Sequence, residues 1–224
     1  RERTEILLKS WVFAGREDET PGPGDYRTLE TVGGPVILIR GDDGVLRAFA
    51  NFCRHRGALL LEGTGQALRI VCPYHAWTYG VKGNLIGVPR ADLFPGLDKS
   101  TKNLKAGHLE EAFGFLWLTQ EGPAKPISEY LGEQLVKEFE AQNFAEHHVF
   151  FDKTRPLNAN WKFPIFAFLE SYHIGTLHKD SIAEFFEENI AKREALLNAV
   201  AIEFPQITSL QYVINSKGND NGLI

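Results

Sequence analysis

The chain has 224 residues, 24 Lys and Arg against 29 Asp and Glu, a formal net charge of −5 and 43% hydrophobic residues. That length suits one or two domains burying roughly 70% of their surface, and the acidic balance disfavours nucleic acid, which wants a basic face. No apolar run approaches the ~18 residues of a membrane span, and Arg1-Glu2-Arg3-Thr4 lacks the apolar core of a signal peptide.

In chain order, residues 4–11 read as a short amphipathic helix and 12–15 as a strand, after which Pro21-Gly22-Pro23-Gly24 breaks the chain. Residues 35–40 and 45–50 are apolar runs, and the Gly41-Asp42-Asp43-Gly44 turn between them predicts a hairpin. A strand over 67–71 is followed by a second hairpin, 77–81 with 84–88, turning at Lys82-Gly83. Residues 93–107 are irregular and polar, leaving His108 in a loop. Residues 113–118 are apolar throughout, as in a strand covered on both faces. A first domain, 1–120, therefore holds a small all-β core from about 31 to 119.

Glu121-Gly122-Pro123-Ala124-Lys125-Pro126 reads as a linker into a second domain, 121–224. There, 128–143 predicts a helix with Leu131, Leu135, Val136 and Phe139 on one side, and 148–155 a strand beginning at His147-His148. Asn160 caps a helix running to about His173, with Pro164 in its first turn. Ser181-Ile182-Ala183-Glu184 opens another helix, to about Leu197. Strands are predicted at 203–204 and 207–214. Strands followed by segregated helices give the α+β class. The closing Gly218-Asn219-Asp220-Asn221-Gly222 reads as a turn entering a further strand, so the expectation is a piece of a longer protein.

Two constellations carry chemistry. Cys53-Arg54-His55 and, sixteen residues on, Cys72-Pro73-Tyr74-His75 offer two thiolates and two imidazoles from glycine- and proline-rich loops. A Rieske iron–sulfur cluster takes that set, two Cys on one iron and two His on the other. Structural zinc uses the same donors, but usually as Cys-x2–4-Cys and His-x3–5-His. These are the only two cysteines; assigning both to iron leaves no disulfide and points to a reducing cytoplasm.

The second constellation is Glu170-Ser171-Tyr172-His173-Ile174-Gly175-Thr176-Leu177-His178. On one helix Glu170 and His173 share a face; Gly175 then ends the helix and His178 folds back toward His173. Two imidazoles and one carboxylate on one side of a metal form the facial triad of non-haem Fe(II) oxygenases. Asp180, Glu184, Glu187 and Glu188 are nearby carboxylates, but no spacing nominates one. Phe163, Phe166 and Phe168 are core or pocket residues on the preceding helix.

The stretches Asn51-Phe52-Cys53-Arg54-His55-Arg56-Gly57-Ala58 and Cys72-Pro73-Tyr74-His75-Ala76-Trp77-Thr78-Tyr79, with Asn160-Trp161-Lys162 ahead of His173 and His178, resemble the α subunits of Rieske non-haem iron oxygenases. The resemblance runs from about Ile6 to His178. It implies an all-β Rieske [2Fe-2S] domain followed by the N-terminal part of an α+β helix-grip (START/SRPBCC-like) catalytic domain. It implies a cluster held by Cys53, His55, Cys72 and His75, and mononuclear Fe(II) held by His173 and His178, with O2 as co-substrate. It makes Glu170 the bridge between His173 and His75 of a neighbouring subunit, hence a homotrimer, with or without β subunits. It further implies a ferredoxin or flavin reductase as electron donor and a small organic substrate, whose aromatic ring or alkyl or N-methyl carbon is hydroxylated.

Glutamate at position 170 leans toward the demethylating and quaternary-ammonium branches. Two departures stand out. Phe166-Ala167 replaces the family's usual polar pair, and its carboxylate ligand comes from further downstream than this chain extends. Both keep an electron carrier, or a remnant without a working iron site, as alternatives. Arg54 and Arg56 are either solvated loop charges or contacts for an acidic electron donor.

Overall fold

Val36-Ile37-Leu38-Ile39 explains most of the architecture. A strand apolar at every position must be covered on both faces, and this one is: Ile37 and Ile39 enter one core, Val36 and Leu38 another. The computed structural model describes residues 1–121, 125–150, 153–154, 156–169, 172–181 and 183, in two compact units, Arg1–His148 and Val149–Ile224.

The first unit contains β1 (Val12–Arg16), β2 (Asp25–Thr31), β3 (Gly34–Arg40), β4 (Leu46–Ala50), β5 (Thr64–Gln66), β6 (Arg69–Val71), β7 (Thr78–Gly80), β8 (Leu85–Gly87), β9 (Ala106–Ala112) and β10 (Phe115–Thr119). They form a seven-stranded sheet, β1-β10-β9-β4-β3-β2-β5, and a three-stranded sheet, β6-β7-β8, with antiparallel pairing throughout. Both hairpins expected from sequence form. The donor loops lead out of β4 and β6, and their cysteines share a core with Ile37, Phe49, Ile70, Trp77 and Tyr79.

Several sequence expectations need correction. The N-terminal segment is one π-helical turn, Arg3–Leu7. Strand β2 (Asp-Tyr-Arg-Thr-Leu-Glu-Thr) is too polar to read as a strand and forms by pairing with β3 and β5. Segment 106–112 is likewise strand β9, made by its neighbours β4 and β10, so His108 stands opposite Thr119 in a ladder rather than in a loop. At the other extreme, the described residues between 148 and 155 form no strand, and Phe150 is fully exposed.

Helix α1 (Ile127–Gln142) packs within the first unit, breaking locally at Gly132 (φ 76°, ψ 162°). Its first amide donates to Glu110 Oε2 at 2.9 Å. Phe139 sits against Phe115, Trp117 and Phe144, covering the outer face of β10. Arg16 is buried beside this layer, donating to the Phe144 and His147 carbonyls and to Asp18.

The two sheets meet at Gly83. Its φ is +84°, and a Cβ there would lie 2.4 Å from Cε1 of Phe49. Gly83 also accepts from the Leu104 amide at 2.8 Å, and Lys82 pairs with Asp42 and Asp43 in the β3–β4 turn. Left-handed strain of about 1–2 kcal/mol plus overpacking of about 1–3 kcal/mol should make Gly83→Ala destabilising by about 2–5 kcal/mol. Chemical denaturation of the variant beside wild type measures it.

In the second unit, Lys162 donates to Asn160 Oδ1 at 3.0 Å, so Asn160 caps helix α2 (Lys162–Leu169). The single helix expected to reach His173 is instead α2 followed by the one-turn helix α3 (Ile174–Leu177). Gly175 lies inside α3 and does not terminate it; His173 and His178 are its two caps. No α2 side chain is buried among the described residues, and Phe163 and Phe168 are 70% and 91% exposed. The described part of this unit supplies no apolar layer opposite them. Glu170, Glu184, Glu187, Glu188, the helix expected from 181 and the strands expected at 203–204 and 207–214 lie outside the described residues.

Candidate metal centres

The first donor loop is held from behind by Asn51, which is 1% exposed. Its Oδ1 accepts from the amides of Leu60 (3.1 Å) and Leu61 (3.0 Å), and its Nδ2 donates to the Leu61 carbonyl (2.7 Å). Within the loop, the Cys53 amide donates to the Ala58 carbonyl and the Gly57 amide to the Cys53 carbonyl. Gly57, at φ +74°, takes the left-handed conformation that closes this turn. The second loop is built the same way: the Cys72 amide donates to the Trp77 carbonyl and the Ala76 amide to the Cys72 carbonyl.

This scaffold brings the four predicted donors together. Cys53 and Cys72 are buried thiols, and the rings of His55 and His75 lie 4.8 Å apart edge to face. Trp77 stacks on His55 at 4.8 Å with planes 6° apart, and Phe94 closes the edge of both rings. Tyr74 covers His75 at 3.9 Å.

Nδ1 of His55 is buried with no hydrogen-bond partner, and an orphaned imidazole nitrogen between two loops suits a metal. Burial, then the neighbouring His75 and Arg56 charges, lower the His55 pKa and hold it in the neutral form that ligates. Burial pushes the Cys53 thiol up, with Tyr79 pulling part of the way back; metal binding reverses this by taking the thiolate. Among the described residues no three or more His, Cys, Asp and Glu converge as one ion would require. His55 and His75 form a ring pair and Cys53 and Cys72 are both buried thiols; a Rieske cluster takes two of each.

Sequence reasoning missed the role of Tyr79. It is fully buried, its hydroxyl accepts from the Arg54 amide at 2.9 Å, and it lies 3.3 Å from Cys53 Sγ. With the amide occupying a lone pair, the hydroxyl proton is left to donate to sulfur; burial first, and Cys53 next, raise the Tyr79 pKa. The alternation Trp77-Thr78-Tyr79 on a strand leaving the second loop is the pattern that could have shown it. Tyr79→Phe removes a donor that favours the more negative, reduced cluster. At about 1 kcal/mol for such a bond, the midpoint potential should fall by roughly 40 mV for one electron. Redox titration by electron paramagnetic resonance checks this.

At the second centre, the rings of His173 and His178 lie 5.4 Å apart, brought together by α3. The Leu177 amide donates to the His173 carbonyl at 2.7 Å. These residues fit two positions of a mononuclear site; no third donor joins them among the described residues.

Both donor sets fall within stretches that match known families. The Rieske [2Fe-2S] domain family matches residues 10–98, and the ring hydroxylating alpha subunit (catalytic domain) family matches residues 144–212. The oxygenase subunit of carnitine monooxygenase from Acinetobacter baumannii is 34% identical over 181 residues, 79% of this chain and 48% of that protein. The large oxygenase component of the naphthalene 1,2-dioxygenase system from Pseudomonas putida is 34% identical over 187 residues, 79% of this chain and 41% of that protein. The crystal structure of the quaternary ammonium Rieske monooxygenase CntA in complex with L-carnitine superimposes with a TM-score of 0.76 at 31% identity, covering 83% of this chain and 53% of that one.

The chain thus spans about half the length of the curated relatives it matches. The two family matches imply a Rieske [2Fe-2S] cluster, mononuclear iron and O2. On its paired donor loops, its His173–His178 pair and both family matches, the chain belongs to the α subunits of Rieske non-haem iron oxygenases.

Proposed function

We propose that the whole protein is the terminal oxygenase component of a multicomponent Rieske oxygenase. In this reading it takes electrons from a ferredoxin or flavin reductase and uses O2 to hydroxylate an aromatic ring or an alkyl or N-methyl carbon. The observation that carries it is that one chain holds both donor sets and folds each together, His55 against His75 and His173 against His178. Cys53, His55, Cys72 and His75 would hold the cluster; His173 and His178 would hold the iron. When bound, the cluster stores single electrons and the iron activates dioxygen.

The chain's own residues do the rest. Tyr79 donates to Cys53 and fixes the potential, Asn51 and Trp77 set the geometry of the first loop, and Phe94 keeps water from the His55 ring. Glu170 is assigned to the link between His173 and His75 of a neighbouring subunit, in a homotrimer with or without β subunits. Inter-subunit electron transfer is described for a quaternary ammonium Rieske monooxygenase of known structure, 34% identical to this chain. We place the functional boundary near residue 120 and the enzyme in the cytoplasm, since both thiols are committed to iron. No helix among the described residues is long and apolar enough to cross a membrane.

The test is metal content and turnover of the whole protein. We expect about three irons and two labile sulfides per chain, and product in a single turnover after chemical reduction. Two irons, two sulfides and no product would make it an electron carrier or a remnant instead. A screen of aromatic acids against quaternary amines assigns the substrate class.

A further inference from the structure

Among the described residues Arg16 is the only charged residue that is buried, at 8% exposure. One of its contacts is to a carboxylate: Nε donates to Asp18 Oδ1 at 3.0 Å, and Asp18 is itself half exposed. The two terminal nitrogens go to main chain instead. Both donate to the Phe144 carbonyl at 3.1 Å, and Nη2 donates also to the His147 carbonyl. A guanidinium is a rigid, permanently charged fork, so it holds two carbonyls at a set spacing. Its aim comes from β1, whose register shifts between Phe13 and Gly15; a bulge redirects the side chains beyond it.

The gripped segment is held from a second side as well. The turn between β9 and β10 brings Gly114 (φ +80°) so close that a Cβ there would lie 2.6 Å from the Ala145 amide nitrogen. The Glu17 amide donates to the Gly114 carbonyl at 3.3 Å, and Phe144 packs on Phe115 and Phe139. From 148 to 160, by contrast, the described residues form no helix or strand, and Phe150 is fully exposed. Residues 144–147 are therefore the last anchorage in the first unit before the chain runs on to His173 and His178.

We propose that Arg16 is a positioning residue for the reaction. By holding the Phe144 and His147 carbonyls it fixes the point and direction at which the chain leaves the unit that carries Cys53, His55, Cys72 and His75. This deepens the oxygenase reading above and rests on it. Catalysed steps are sensitive to placement, and a shift of about 1 Å caused far from the chemistry can cost ~100-fold in rate. None of Arg16's partners is a metal donor, so releasing its grip should slow electron passage from cluster to iron and leave both centres chemically intact.

The iron-loaded whole protein is compared as wild type, Arg16→Lys and Gly114→Ala. Lysine keeps the charge but not the fork; alanine at 114 forces the same segment away from the other side. The Glu146 and His147 amides donate to the Asn143 and Phe144 carbonyls. In both variants their hydrogen exchange should speed up at least ~10-fold, the scale of a lost charge-assisted bond. In a single turnover from the chemically reduced protein, loss of the cluster's electron should slow at least ~10-fold. Iron and sulfide content, Rieske spectrum and midpoint potential should match wild type. Leu46→Ala destabilises the core elsewhere; as the control, it should transfer at the wild-type rate.

Faster exchange in both variants with electron loss at the wild-type rate would overturn the positioning role and leave the oxygenase reading standing. So would a Leu46→Ala protein slowed as much as Arg16→Lys, since general loss of stability would then account for both. Unchanged exchange in Arg16→Lys would show that the two carbonyl bonds do not hold the segment, and the proposal would fall. An iron-loaded wild type whose reduced cluster never passes its electron on would overturn the oxygenase reading, and this one with it.

Discussion

Replacing His173 by alanine in the whole protein should abolish the mononuclear iron and cut product formation by more than ~100-fold, leaving the Rieske spectrum at full intensity. Loss of an outer-sphere partner typically costs 10–100-fold in metal affinity or activity, and loss of one of only three protein ligands should exceed that. The structure limits collateral damage. His173 caps α3, a single turn, and belongs to a compact unit different from the one that carries Cys53 and Cys72. Iron per labile sulfide is the decisive measurement: it should fall from about three per two to about two per two. If His173→Ala retains wild-type product formation, His173 and His178 are not an iron site, and their proximity serves α3 alone. His178→Ala, with its ring 5.4 Å away, should behave in the same way.

The second large effect concerns Cys72. Cys72→Ala should prevent cluster assembly, eliminate labile sulfide and reduce donor-driven product formation to background. The side chain is 2% exposed within the core that also contains Trp77, Tyr79 and Leu85. Losing the sulfur there costs only about 1 kcal/mol in packing. The larger loss comes through linkage, because a cluster bound only by the folded state stabilises it by mass action. The thermal midpoint of the loaded protein should therefore drop in Cys72→Ala by much more than that of the apoprotein. A variant that kept two labile sulfides and its reduced-state resonance would show that Cys72 is an ordinary buried thiol.

Local chemistry made much of the candidate site readable in advance. Gly41-Asp42-Asp43-Gly44 and Lys82-Gly83 favour turns locally, so β3–β4 and β7–β8 could be read directly. Asn160 caps α2 for the same reason. Segments whose own pattern is weak could not be read. The polar β2 and β9 are strands because β3, β4 and β10 supply their hydrogen bonds. In 148–155 the pattern is strand-like, yet no described neighbour offers a ladder. Helix α2 is apolar on all sides, which in a folded protein requires cover on all sides, and its own sequence cannot say where that cover lies. Arg16 likewise looks like a surface charge until the carbonyls of Phe144 and His147 arrive from 128 and 131 residues away.

The order of donors along the chain settled which elements this protein can bind, because Cys-x-His and Cys-x-x-His act through atoms a few residues apart and need only a tight turn to aim them. Folding at long range decided everything that tunes those donors. Tyr79 meets a sulfur 26 residues away, Trp77 lies flat on a ring from the other loop, and Lys105 joins Arg54 and Arg56 at one opening. Burial and strand register are properties of segments in combination, so no single stretch of sequence contains them.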